Sequence, residues 1–450
     1  MQMVATDTTH FPLVDLRAVS NGADQWVAIS ARLVDSDDNG DSGIADSGIA
    51  AGAAAAGNDG VQPASAWQAV FEGNDLLTAI APLDCIVHLR SVKLLSAPLV
   101  ARLPASRVLF AVDVGALDED DAVRQLSGLQ QAGYRVLVDG ATGAGTVLPP
   151  TLRAIAHDCA DPLTFAAPLA AVFGPHLAHG VDTPALFDAC GQAGFAWFSG
   201  DYALQASALA DHADAAEDGL TARRLLKLLG LLLTDADTRV IETQLKQDPA
   251  LCYHLLRLVN SAAFAPPTPI HDFAQAIDHL GRRQLLRWLQ LLLYARPRAD
   301  GLINPLLPIA ARCAAQIESL CKQHGYGRDE QDLAFQVGVF SLLDVLLRIP
   351  MAEIVSALML PPDLAGALLE RSGVLGRLLA LVEASGVATS GVATSRVVTS
   401  GVVTSGVVTS GVATPAAAAA LLAAAGVTPQ QWWRSQLHAF HWAIQVSRNL

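Results

Sequence analysis

The sequence predicts two dissimilar units in one chain, a parallel α/β sheet or barrel over residues 1–208 and an all-α unit over 221–450, joined by a linker at 209–220. Up to about residue 208, short apolar runs alternate with helical periods, the pattern of a parallel sheet whose strands are connected by helices. Beyond 221 only the helical period recurs. Two low-complexity tracts, 35–65 and 385–414, interrupt these units without belonging to either.

In the first unit, strands are expected at 26–29, 86–89, 108–112, 135–138 and 196–199, and helices at 119–132 and 183–193. The tract 35–65 carries DSGIA twice and a run of alanines, and is expected to be a disordered insertion between a strand and the next helix. With it set aside, the unit is short for eight strand–helix pairs, so one or two are expected to be missing. A glycine-rich exit, GATGAG at 140–145, follows the strand at 135–138. Its continuation, Thr146-Val147-Leu148-Pro149-Pro150, offers no helix N-terminus to complete a phosphate cradle, so no dinucleotide site is expected there.

The best-defined stretch of the second unit is 246–288. Asp248 is placed to cap a helix that starts at Pro249, where a missing N–H costs nothing. Leu251, Leu255, Leu258 and Val259 then share one face. The proline-rich run 265–270 stops that helix, and a second begins near Asp272 with Phe273, Ala276, Ile277 and Leu280 as its stripe. Gly281 separates it from a third helix at 282–294. Arg257, Arg282, Arg283 and Arg287 gather here. The loop around 266–268 is long for a helix-turn-helix, so these arginines are expected to face protein and not DNA. Farther on, residues 397–433 hold no charge. They consist of the end of a pentapeptide repeat of the SGVAT type and an alanine-rich helix at 415–425 that is too short to span a bilayer. His438 and His441 lie one turn apart among Trp432, Trp433 and Trp442. With no carboxylate beside them, packing is expected in place of metal binding.

The chain has 450 residues, with 29 Lys and Arg against 43 Asp and Glu, a net charge of −14 that disfavours nucleic acid and anionic membrane as partners. Six cysteines without a C-x-x-C pair suggest reduced residues, with neither disulfides nor zinc. The first residues lack a basic region followed by an apolar core, so no signal peptide and a cytoplasmic location are expected.

The stretches QDPAL (247–251), LLRLVNSAAF (255–264) and AIDHLGRRQL (276–285) resemble the HDOD family, signalling output modules related to HD phosphohydrolases. In AFQVGVFSLLD (334–344), Ser341 and Leu342 stand where an HD enzyme would carry its His-Asp pair, so the resemblance implies no metal site. FPLVDLR (11–17), LPASRVLFAVDV (103–114), LQQAGYRVLVDG (129–140) and AHGVDTPALFDACGQAGFAWFSGDY (178–202) resemble the EAL domain, a (β/α) barrel that hydrolyses cyclic di-GMP. An EAL-like barrel preceding an HDOD module is a bacterial signalling pairing.

Active EAL barrels hold two metal ions on carboxylates at strand ends. Carried onto this chain, the resemblance places those ligand positions at Ser30, His88, Ala111, Val114, Asp139, Gly140, His179 and Asp182, with Thr164 at the position of a lysine. Two carboxylates remain, Asp139 and Asp182, so the barrel is expected to be degenerate and inactive. The overall expectation is a TIM-like degenerate (β/α) barrel followed by an all-α HD-related domain. It would act without catalysis as a bacterial signal-transduction scaffold in cyclic di-GMP or motility regulation. Catalytic, cofactor-binding and metal residues are expected to be absent, as are nucleic acid and membrane partners. Signalling proteins are the expected partners. The alternatives are a cyclic di-GMP effector without hydrolysis and an active phosphodiesterase.

Overall fold

The computed structural model describes residues 11–34, 63–73, 75–140, 148–161, 163, 168–209, 215–234, 236–261, 266, 268–295, 304–387 and 415–449. Residues 35–62, 141–145 of GATGAG, Thr164, the middle of the linker, parts of the 265–270 run and the pentapeptides from 388 onward lie outside them.

Eight strands close a barrel in chain order: β1 Val14–Asn21, β2 Trp26–Leu33, β3 Asp84–Leu89, β4 Val108–Asp113, β5 Arg135–Asp139, β6 Ala154–Asp158, β7 Leu177–His179 and β8 Trp197–Ser199. β1 runs antiparallel to both neighbours, meeting β2 along its length and β8 only at Ser20 and Asn21, while β2 to β8 are parallel. No strand is missing, contrary to the expectation of lost units. The economy is in the connections. β1 and β2 form a hairpin, β7 and β8 have three residues each, and the described part of the β6–β7 connection holds only a single 3-10 turn. Alternation along the strands sends Val19, Ala28, Ile86, Leu109, Leu137, Ala156 and Leu177 inward as a dry plug, the packing by which a small barrel fills its lumen.

Around the barrel lie α1 Pro63–Glu72, α2 Asp75–Ala79, α3 Ala97–Val100, α4 Ala122–Gln131, α5 Pro184–Gln192 and α6 Tyr202–Leu209. The helical half follows with α7 Ala215–Leu233, which begins inside the stretch read as linker. It continues through α8 Thr238–Leu245, α9 Pro249–Val259, α10 Phe273–Leu280, α11 Arg282–Leu292, α12 Leu306–Gln323, α13 Arg328–Phe340, α14 Leu343–Leu347, α15 Met351–Leu358, α16 Pro362–Glu370, α17 Gly373–Val387, α18 Pro415–Ala425 and α19 Pro429–Asn449. The turn chemistry matches the sequence. The Asp248 side chain accepts from Leu251 N at 3.1 Å, and Asp272 accepts from Gln275 N at 2.8 Å. Gly281 takes a φ of 75°, the left-handed region that glycine enters without strain. Asn260 closes the α9–α10 connection, donating to Ile270 O at 2.8 Å and accepting from Ile270 N at 2.7 Å. Among the described residues no helix is long and apolar enough to cross a membrane.

α12 is the buried axis of the helical half, packed on α13, α17 and α19. It meets α13 at Gly338, where a Cβ would overlap the backbone of Ala314. α19 belongs to both halves. Trp432 and Ala443 join the helical core, and Trp442 packs at a tilt against Trp288, ring centroids 5.0 Å apart. Trp433, Phe440 and Ile444 join the core outside the barrel, with Phe440 5.8 Å from Trp26. The buried Gln436 then acts as a stand-in for a strand. Its Nε2 donates to Val14 O at 3.0 Å and its Oε1 accepts from Leu16 N at 3.2 Å, along the edge of β1 that the short β8 leaves unpaired.

Candidate functional site at the barrel mouth

One residue pair beyond the dry plug, the inward positions turn polar at the C-terminal ends of the parallel strands, the end where (β/α) barrels carry their chemistry. Ser30 and Arg32 come from β2, His88 from β3, Ala111 from β4, Asp139 from β5, Asp158 from β6 and His179 from β7. The cross-strand register pairs His88 with Ala111 and Asp158 with His179. The positions assigned by sequence at Ser30, His88, Ala111, Asp139 and His179 are therefore brought together. Val114 and Asp182 follow their strands, and Gly140 turns the chain away with a φ of 82°. Sequence reasoning missed Arg32 and Asp158. Each lies two residues beyond an inward-facing residue, Ser30 and Ala156, so alternation alone could have found them.

Asp139 is the centre of this cluster. Its Oδ1 accepts from His179 Nε2 at 2.8 Å, and its Oδ2 lies 3.4 Å from His88 Nδ1 and 3.7 Å from Arg32. Burial alone would raise its pKa, but His179 and His88 more than reverse that and hold the carboxyl well below the usual range. Burial, reinforced by the Arg32 charge, takes His88 down to about 4, so its imidazole is neutral at neutral pH. His88 Nε2 meets Ser30 Oγ at 2.8 Å. Its Nδ1 faces Arg32 at 3.3 Å and Asp139 at 3.4 Å, near-equal distances to a donor and an acceptor. With its proton on Nδ1 the ring donates toward Asp139 and accepts the Ser30 hydroxyl. With the proton on Nε2 it donates to Ser30 and accepts from Arg32. His179 Nδ1 lies 3.8 Å from Asp158 Oδ2, which extends the chain of polar groups to β6. A cavity of about 180 Å³ opens beside these groups, lined by Arg32, Trp67, His88, Arg90, Asp113 and Asp139 among others.

The dinuclear metal site that the barrel resemblance implies does not fit this mouth. Among the described residues, no group of three or more His, Cys, Asp or Glu side chains is arranged to hold a metal ion. The oxygens of Asp139 are already engaged by imidazoles and Arg32. In the helical half, Ser341 is buried and donates to Gly338 O at 2.9 Å, which makes it a packing residue. His441 lies 3.2 Å from Ala79 O on the barrel side. Arg283 pairs with Asp332 at 2.5 Å, and Arg287 with Glu318 while lying over the Phe335 ring, so both arginines are engaged within the fold.

Residues 221–349 match the HDOD domain family, and the barrel before them closes with eight strands. Over 210 residues it is 30% identical to the cyclic di-GMP phosphodiesterase CdgJ of Vibrio cholerae, covering 46% of this chain and 47% of that protein. It is 28% identical over 141 residues to the uncharacterized protein YuxH of Bacillus subtilis, covering 31% and 34%. The chain thus spans less than half the length of the curated relatives it matches. Similar solved structures include a complex of the PaMucR phosphodiesterase with c-di-GMP (14% identity, TM-score 0.27, 42% of this chain and 94% of that one). A putative phosphohydrolase of Shewanella amazonensis is also similar (14%, TM-score 0.29, 50% and 93%). Scores this low establish no correspondence of residues. The expectation of a chain without enzymatic activity is overturned by the first of these relatives, itself a cyclic di-GMP phosphodiesterase.

Proposed function

We propose that the protein works in cyclic di-GMP signalling, taking the cyclic dinucleotide at the barrel mouth and cleaving one of its phosphodiester bonds there. The observation that carries this reading is the bridge His88–Asp139–His179 beside Arg32 at the strand ends. Arg32 supplies a permanent positive charge for a phosphodiester oxygen. The neutral His88 ring can take a proton from a hydroxyl or water that replaces Ser30 at its Nε2, and Asp139 stabilises the imidazolium so formed. A cavity of about 180 Å³ accommodates a phosphate with its sugar, so the guanine bases would lie outside it across the rim. The relative of known activity adds support for the substrate class.

The test is incubation of the purified chain with cyclic di-GMP, in chelator and in manganese or magnesium, with products resolved by chromatography and binding followed by titration calorimetry. A linear dinucleotide that forms in chelator and disappears in Asp139→Asn supports the reading. Binding without product under every condition overturns cleavage, and absence of binding overturns the choice of ligand.

A further inference from the structure

Cys159 and Cys190 carry the inference. Cys159 directly follows Asp158 at the end of β6, and its N–H donates to His179 O at 2.8 Å. Cys190, 31 residues on, points from α5 into the small core formed with Phe195, Phe198 and Tyr202. Their sulfurs stand 3.4 Å apart, the one sulfur–sulfur contact among the described residues. All six cysteines are free thiols, and the other four, Cys85, Cys252, Cys313 and Cys321, have no such partner sulfur. We propose that Cys159 and Cys190 are a redox couple that hydrogen peroxide closes to an intramolecular disulfide, a modification site tying the mouth end of β6 to α5.

The geometry is close to what the bond requires. A disulfide needs its sulfurs at about 2.05 Å, so each must move by about 0.7 Å, a displacement that side-chain rotation supplies. The two thiols are hydrogen-bonded to each other. The Cys159 hydrogen bond holds Cys190 below the usual thiol range, and the same contact, aided by burial, raises Cys159. Of the two, Cys190 is therefore the one predisposed to react as thiolate, with peroxide reaching the pair from the Cys159 side. Cys159 is partly exposed and Cys190 is buried, so the couple has one side open to solvent and one sheltered. The chemistry balances with peroxide as the oxidant. One thiol, reacting as its thiolate, takes an oxygen from hydrogen peroxide to become a sulfenic acid, and the hydroxide expelled leaves as the first water with the proton that this thiol gave up. The second sulfur then attacks that sulfur and displaces hydroxide, which leaves with the remaining thiol proton as the second water. Two thiols are oxidised and one peroxide is reduced. The expectation from sequence that all six cysteines remain reduced would then hold only in the absence of peroxide. The proposal stands apart from the ligand taken at the mouth.

The test treats the folded full chain with hydrogen peroxide, then counts free thiols and digests without reductant for mass spectrometry. The expected result is a fall from six free thiols to four. A peptide joining Cys159 to Cys190 should appear, lighter by two hydrogens than its parts and separated again by reductant. Cys159→Ser should abolish both, and in the chain unfolded in urea, where the juxtaposition is lost, peroxide should no longer favour the Cys159–Cys190 link over other products. Over-oxidation of Cys159 without a link, a link through Cys252, or the same loss of two thiols in Cys159→Ser would overturn the proposal.

Discussion

Replacing Gln436 by alanine removes the amide that completes the β1 edge, and the loss can be worked out from its two hydrogen bonds. The side chain is 3% exposed and bonds Leu16 N at 3.2 Å and Val14 O at 3.0 Å. Truncation leaves a backbone donor and a backbone acceptor without partners at a buried joint, and each costs about 1–3 kcal/mol. Water entering the vacated space restores part of this, so a net loss of about 3 kcal/mol is expected. The assay is equilibrium urea unfolding of the full chain followed by tryptophan fluorescence, because Trp26 and Trp433 flank the joint. At an m-value near 3 kcal/mol/M the midpoint falls by about 1 M. Gln436→Glu keeps an acceptor for Leu16 N, loses the donor to Val14 O and buries a charge, so it is expected to be worse than alanine. Alanine at the exposed Gln430 is the control. A Gln436→Ala chain within about 0.5 kcal/mol of its parent, or indistinguishable from that control, would refute the account of the joint.

The folded pKa of His88 near 4 lies below the ordinary 6.5, so the unfolded chain binds the extra proton first as pH falls. Its contribution is full above about 6.5 and is lost by up to about 3 kcal/mol on the way to pH 4. Urea midpoints between pH 7 and 5 should fall in the parent and flatten in His88→Asn. Gly338→Ala forces a methyl into the Ala314 backbone, and a loss of about 2–3 kcal/mol on thermal unfolding is expected from overpacking at the α12–α13 crossing. Asp248→Ala removes the cap on α9 and should cost about 1 kcal/mol by the same measurement.

The helical half was the more legible because its turns carry their own chemistry. Asp248-Pro249, Asp272 and Gly281 mark helix ends by hydrogen bonding and φ, and each is found in that role. The barrel was legible where strands are continuous apolar runs, as in β3, β4 and β5. β1 carries Asp15 and Arg17, which pair at 2.7 Å, and β6 ends on His157 and Asp158, so their charges conceal their strand character. β7, three residues long, gives alternation too little length to register. At the mouth, the positions carried over by resemblance do meet, but what they do there depends on distances. The division of Asp139 between two imidazoles has no signature in spacing. Nor does the pairing of Gln436 with β1, more than 400 residues away in the chain.

The dependence of β1 on α19 has a consequence for how the chain is made. The two bonds from Gln436 span 420 and 422 residues, so the edge of the first strand stays open until a helix far downstream has been synthesised. At about 5–20 residues per second that interval lasts roughly 20–80 s, long compared with the folding of a small domain. During it the β1 edge at Val14 and Leu16 lacks the partner that Gln436 supplies in the finished fold.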